Sequence, residues 1–132
     1  MESLPTKYPN PVRIPFPNEI SKHYGIQACE NNPDAGNGRH HYLITATDPN
    51  GKVDFVLPLD FQKGPLPQVG HNGILSNVLL TLLIDHLKSF QTGPYANRET
   101  ACAITNLEQA LHWMAARAEE REARGVLGQH TK

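Results

Sequence analysis

The chain has little of what builds covalent staples or metal centres. Only two of its 132 residues are cysteines, Cys29 and Cys102. They form no C-x-x-C pair and no metal-ligand spacing, so a reduced intracellular compartment is the simplest expectation. An excess of charge of one sign is missing too. Twelve Lys and Arg against 13 Asp and Glu leave a formal net charge of -1. No global field favours a nucleic-acid polymer or an anionic membrane as partner, and any anion site has to be built locally. No apolar run follows Met1, and none approaches the length of a membrane span. These absences predict a soluble protein that stays in the cytoplasm where it is made.

Catalytic signatures are also absent. There is no G-x-S-x-G, no P-loop and no G-x-G-x-x-G, and neither cysteine has the sequence context of an activated thiol. Asp54 and Asp60 share a strand but have no apolar pocket evident from the sequence. The seven histidines contain no i, i+4 pair of the kind that holds zinc on a helix. His40 and His41 are adjacent, so they point to opposite faces of a strand. His86 lies in an apolar stripe and reads as a core or interface histidine. The expectation is no metal, no cofactor and no enzymatic activity.

What is present organises into one domain over 1–132, which fits its length. Hydrophobic residues make up 39%, below the usual share, so part of the surface is expected to be covered by something other than its own core. An oligomer is one answer. Residues 1–21 carry Pro5, Pro9, Pro11, Pro15 and Pro17 and should be extended. Alternating Val12, Ile14 and Phe16 favour a strap over a loose arm. Residues 22–69 predict a small antiparallel sheet. A strand is possible over 22–30, and 31–39 is a loop by its composition. Residues 40–47 and 52–61 carry apolar positions at period two, and Asp48-Pro49-Asn50-Gly51 between them is a strong turn. Pro58 lacks an N–H, so the second of these strands either lies at a sheet edge or ends near there.

From Ile74 the apolar period changes to 3.6. Leu75, Val78, Leu79, Leu82, Leu83, His86, Leu87 and Phe90 fall on one broad helical face. Gly93-Pro94 stops that helix. A second helix starts near Ala96 or Asn97 and runs to about Gly125, roughly 28 residues or about 40 Å. Residues 70–132 thus predict a helical hairpin and tail, and the fold class is α+β. The second helix is longer than its partner, so its end beyond Ala115 should project into solvent or meet another subunit. Residues 61–65 and 90–94 share the pattern F-Q-x-G-P. Either Gly-Pro is a chain breaker anchored by Phe, or the two phenylalanines also line a pocket.

Anion recognition has the best support. The second helix opens with Asn97, Arg98 and Thr100, and free N–H groups at a helix start favour phosphate. Arg117, Arg121 and Arg124 recur at spacings of four and three and share a helical face. The alternative is a solvated charged face balanced by Glu119, Glu120 and Glu122. Phe90, Tyr95 and Trp113 could stack on a base, and stacking with arginine–phosphate pairing is how a nucleotide is recognised.

The stretches 61–65 (FQKGP), 70–73 (GHNG), 80–100 (LTLLIDHLKSFQTGPYANRET), 103–113 (AITNLEQALHW) and 124–131 (RGVLGQHT) resemble phage and prophage proteins. They are similar to the Thoeris anti-defence sponges of the first type. These share a helical hairpin with the phage anti-CBASS sponges of the second type. The resemblance covers about residues 53–131 and none of the first 40. It implies a non-catalytic protein that sequesters an immune-signalling nucleotide, a glycocyclic ADP-ribose isomer, in the host bacterial cytoplasm. It also implies cyclic di- or trinucleotides at a second site, and homodimers building to homohexamers with pockets between subunits. Under it, Phe90 stacks on adenine, Arg98 matches an R-E-N element in which Thr100 replaces the asparagine, and Arg117 meets the pyrophosphate. Asn97 and Arg121 join that site, and Arg124, His130 and Thr131 form the second one. Asp85-His86 departs from an expected Asp-Arg, and no role is assigned to His86. The competing reading is a helical protein–protein interaction module that inhibits a host protein directly.

Overall fold

A computed structural model describes residues 10–15 and 22–123. The chain clusters into two compact units that divide between Gly64 and Pro65. The first holds a four-stranded antiparallel sheet in the order β1-β2-β3-β4, with β1 Val12–Arg13, β2 Tyr24–Ala28, β3 His41–Thr47 and β4 Val53–Asp60. The second holds the short α1 Leu66–Val69, then α2 Ser76–Gln91 and α3 Arg98–Ala123. This is the α+β class that the change of apolar period predicts.

The β3–β4 hairpin forms because its turn satisfies its own donors. Asp48 Oδ1 accepts the N–H groups of Asn50 and Lys52 at 2.9 and 3.0 Å, and Gly51 takes φ +82°, where a Cβ would be strained. At the other end of the pair, His41 Nδ1 and Asp60 Oδ1 lie 2.8 Å apart. Pro58 does sit on the outer strand. Phe61 N–H donates to His40 O, so alternate N–H groups, those of Leu59 and Leu57, also face β3. The nitrogen of Pro58 therefore faces the open edge, where its missing donor costs no ladder bond and blunts the edge against pairing with another strand.

Over the described residues the Pro-rich arm contributes the edge strand β1 of the sheet and does not lie across its face. Val12 and Arg13 pair with Ala28 and Gln27, and Ile14 N–H donates to Ile26 O at 3.0 Å. Phe16, the third residue of the predicted apolar face, lies outside the described residues.

In the second unit α2 and α3 pack on each other, with Ile84 and Ile104 each 7% exposed at the seam. The exposed pair Lys88–Glu108, at 3.1 Å, bridges the two helices. At 26 residues α3 is about 39 Å long at 1.5 Å per residue, against 16 residues for α2. The expectation that α3 leaves its partner beyond Ala115 is not met at every position. Ala118 is half-buried and Arg121 is buried. The reason is that the chain just before α2 extends the partner surface: Leu75 lines a cavity with Met114, Arg117, Ala118 and Arg121.

The two F-Q-x-G-P segments turn out to be alike in sequence only. Gly64 takes φ +92°, which requires glycine. Gly93 is not among the positive-φ residues. A Cβ built on it meets only Phe90 O, at 4.0 Å. α2 ends instead on Thr92 in the right-handed region, and Pro94 cannot extend it. The two phenylalanines lie in different units. Phe61 meets Tyr42 edge-on at 5.7 Å, and Phe90 meets His86 edge-on at 5.2 Å.

Candidate ligand site in the helical hairpin

The predicted site residues fall at the two ends of the hairpin. Phe90, Asn97, Arg98 and Thr100 are at the turn. That turn is held by paired amide bonds. Gln91 Nε2 donates to Asn97 O and Gln91 Oε1 accepts Asn97 N–H, both at 3.0 Å. Asn97 is the N-cap of α3: its Oδ1 accepts Thr100 N–H at 2.7 Å, and its Nδ2 donates to Tyr95 O at 2.8 Å. The side chain of Asn97 and the N–H of Thr100 are therefore engaged in starting the helix. Phe90 is 46% exposed here, Tyr95 in the same turn is 74% exposed, and Asn97 and Arg98 are exposed as well.

Arg117 and Arg121 are at the opposite end. Arg98 and Arg117 lie 19 residues apart on one helix, about 28 Å at 1.5 Å per residue. A single chain does not bring them together. What faces Arg117 and Arg121 is the start of α2. Together with Leu75, Ser76, Asn77, Met114 and Ala118 they line a cavity of about 150 Å³. Leu75, the N-cap, supplies no side-chain bond, so α2 begins uncapped. Its first two N–H groups have no intrahelical partner, and the helix dipole there favours negative charge. In both helices the third N–H is already engaged, Val78 N–H with Leu75 O at 3.0 Å and Thr100 N–H with Asn97 Oδ1 at 2.7 Å, so α2 differs from α3 in lacking a side-chain cap and not in the number of backbone donors it offers. A Leu rather than Ser, Thr, Asp or Asn before Ser76 is the sequence signal of that difference.

Arg124, His130 and Thr131 lie outside the described residues. Among the described residues, no group of three His, Cys, Asp or Glu is placed to hold a metal ion, and no helix is long and apolar enough to cross a membrane. Both cysteines are free, with Cys29 half-buried and Cys102 exposed.

Fold and site together define a helical-hairpin protein with an aromatic and an arginine displayed at its turn and two arginines at its open end. Residues 58–119 match the family model described as Acb2/Tad1, hairpin domain. Over 97 residues the chain is 41% identical to "Thoeris anti-defense 1" of Bacillus phage SBSphiJ7, an alignment covering 74% of this chain and 66% of that relative. The chain belongs to this Thoeris anti-defence family, and it spans just under two thirds of that relative's length.

Proposed function

We propose that this protein captures a small immune-signalling nucleotide without turning it over, and so inhibits Thoeris anti-phage defence. The ligand class is a glycocyclic ADP-ribose isomer. Cyclic di- or trinucleotides, and with them CBASS, belong to the same reading through the tail residues Arg124, His130 and Thr131. The observation that carries the proposal is the pair Arg117 and Arg121 set against the uncapped start of α2. Arginine forks and free backbone N–H groups are the donors a phosphate needs.

The size of that cavity shapes the rest. About 150 Å³ is below the roughly 300 Å³ at which drug-sized pockets begin, so it suits a phosphate and not a whole dinucleotide. The base has to lie elsewhere, and Phe90 is the exposed platform for it. Because Phe90 and Arg117 are at opposite ends of one hairpin, a complete site needs two chains, with the platform of one beside the arginines of the other. Exposed Val78 and Leu82 on α2 and Trp113 on α3 supply apolar surface for such an assembly. The same surface supports the second reading, direct docking of the hairpin on a host protein.

Purified protein mixed with the glycocyclic ADP-ribose isomer should bind it in calorimetry and release it chemically intact on denaturation. A cleaved product would overturn non-catalytic capture. An absence of binding, with a host protein retained in a pull-down, would favour the docking reading. Native mass spectrometry reports the number of chains and retained ligands together.

A further inference from the structure

We infer that His86 is a positioning residue for the Phe90 platform, holding the phenyl ring ready to stack on the base of a captured purine nucleotide. The inference rests on the sequestration reading and adds to it a residue to which the sequence resemblance gives no role. His86 and Phe90 are four residues apart on α2, both exposed. Their ring centroids are 5.2 Å apart and the planes cross at 89°. Helical side chains lean toward the N-terminus, so the Phe90 ring reaches back over the turn that carries His86. An edge-to-face pair of this geometry is attractive because the positive ring edge meets the negative ring face. It restrains the phenyl ring while leaving it 46% exposed, so a base stacking on Phe90 meets a ring already held in place.

Removing the ring contact and keeping it are separable, because phenylalanine at 86 retains an aromatic ring beside Phe90 and leucine does not.

Two measurements test this. Proton NMR of the histidine ring signals should show a ring-current shift for His86 that disappears in Phe90→Leu; an unchanged His86 signal would overturn the contact. In calorimetry with the glycocyclic ADP-ribose isomer, His86→Leu should bind about three- to tenfold more weakly than the parent chain, and His86→Phe, which restores an aromatic partner for Phe90, should bind within about twofold of it. A His86→Leu chain equal to the parent, or a His86→Phe chain as weak as His86→Leu, would overturn the inference while leaving sequestration intact. No binding by the parent chain would overturn both.

Discussion

Replacing Asn97 with alanine separates two jobs that one side chain could hold. Its Oδ1 caps α3 through Thr100 N–H at 2.7 Å, and its Nδ2 reaches Tyr95 O at 2.8 Å. Loss of an N-cap costs about 1 kcal/mol, and the second, exposed bond adds about 0.5 kcal/mol. The sum, about 1.5 kcal/mol, corresponds to a fall in Tm of roughly 6–12 °C for a unit of this size. Thermal unfolding followed by helical circular dichroism measures it. Asn97→Asp is the informative companion. Aspartate keeps the Oδ1 acceptor and adds a charge that the helix N-terminus favours by about 0.3–1 kcal/mol, while losing the Nδ2 donor. It should therefore melt within about 3 °C of the parent. An alanine variant as stable as the parent, or an aspartate variant as damaged as the alanine one, would refute the capping argument. Asn97→Ser, which keeps a neutral N-cap acceptor, is the test of ligand contact. If Asn97 acts only as a cap, that chain binds nucleotide as the parent does, and a selective loss of affinity would show that Nδ2 also touches ligand.

Three further outcomes follow from the same geometry. Gly93→Ala should be neutral or stabilising by about 0.4–1 kcal/mol in denaturant unfolding, because Gly93 lacks a positive φ and the new Cβ meets only Phe90 O at 4.0 Å; a loss above ~1 kcal/mol would contradict it. Ile104→Ala, which empties one side of the α2–α3 seam, should cost about 2–4 kcal/mol in the same assay. Arg117→Ala and Arg121→Ala should each weaken binding of the glycocyclic ADP-ribose isomer about 10- to 100-fold in calorimetry, from the loss of a charge-assisted bond of about 1.5–3 kcal/mol.

Much of the fold was legible because it rests on periodicity. Val53, Phe55, Leu57 and Leu59 at period two, followed by Leu75, Val78, Leu79 and Leu82 at period 3.6, mark the change from sheet to helix without knowledge of any contact. Asp48 to Gly51 announces its turn through residue chemistry. The details that stayed hidden depend on where side chains reach. Nothing in the sequence says that Gln91 spans the turn to both backbone groups of Asn97, or that Leu75 brings the start of α2 against Arg121. Gly93 was misleading because a glycine before proline looks like a left-handed cap, whereas Thr92 and Pro94 end the helix. The separation of the site residues is legible in the sequence itself. Nineteen residues on one helix fix Arg98 and Arg117 about 28 Å apart whatever else the fold does.

That separation has a consequence for dose. A trap whose platform and arginines come from different chains has no complete site in a lone copy. Capture then depends on assembly, and at low protein levels the amount of ligand removed rises more steeply than in proportion to the protein made. Such a trap has a threshold: below the assembly concentration the signal passes, and above it free signal falls sharply. For a site shared between chains in the way proposed, the number of chains needed to complete it would set how abruptly protection begins as the protein accumulates.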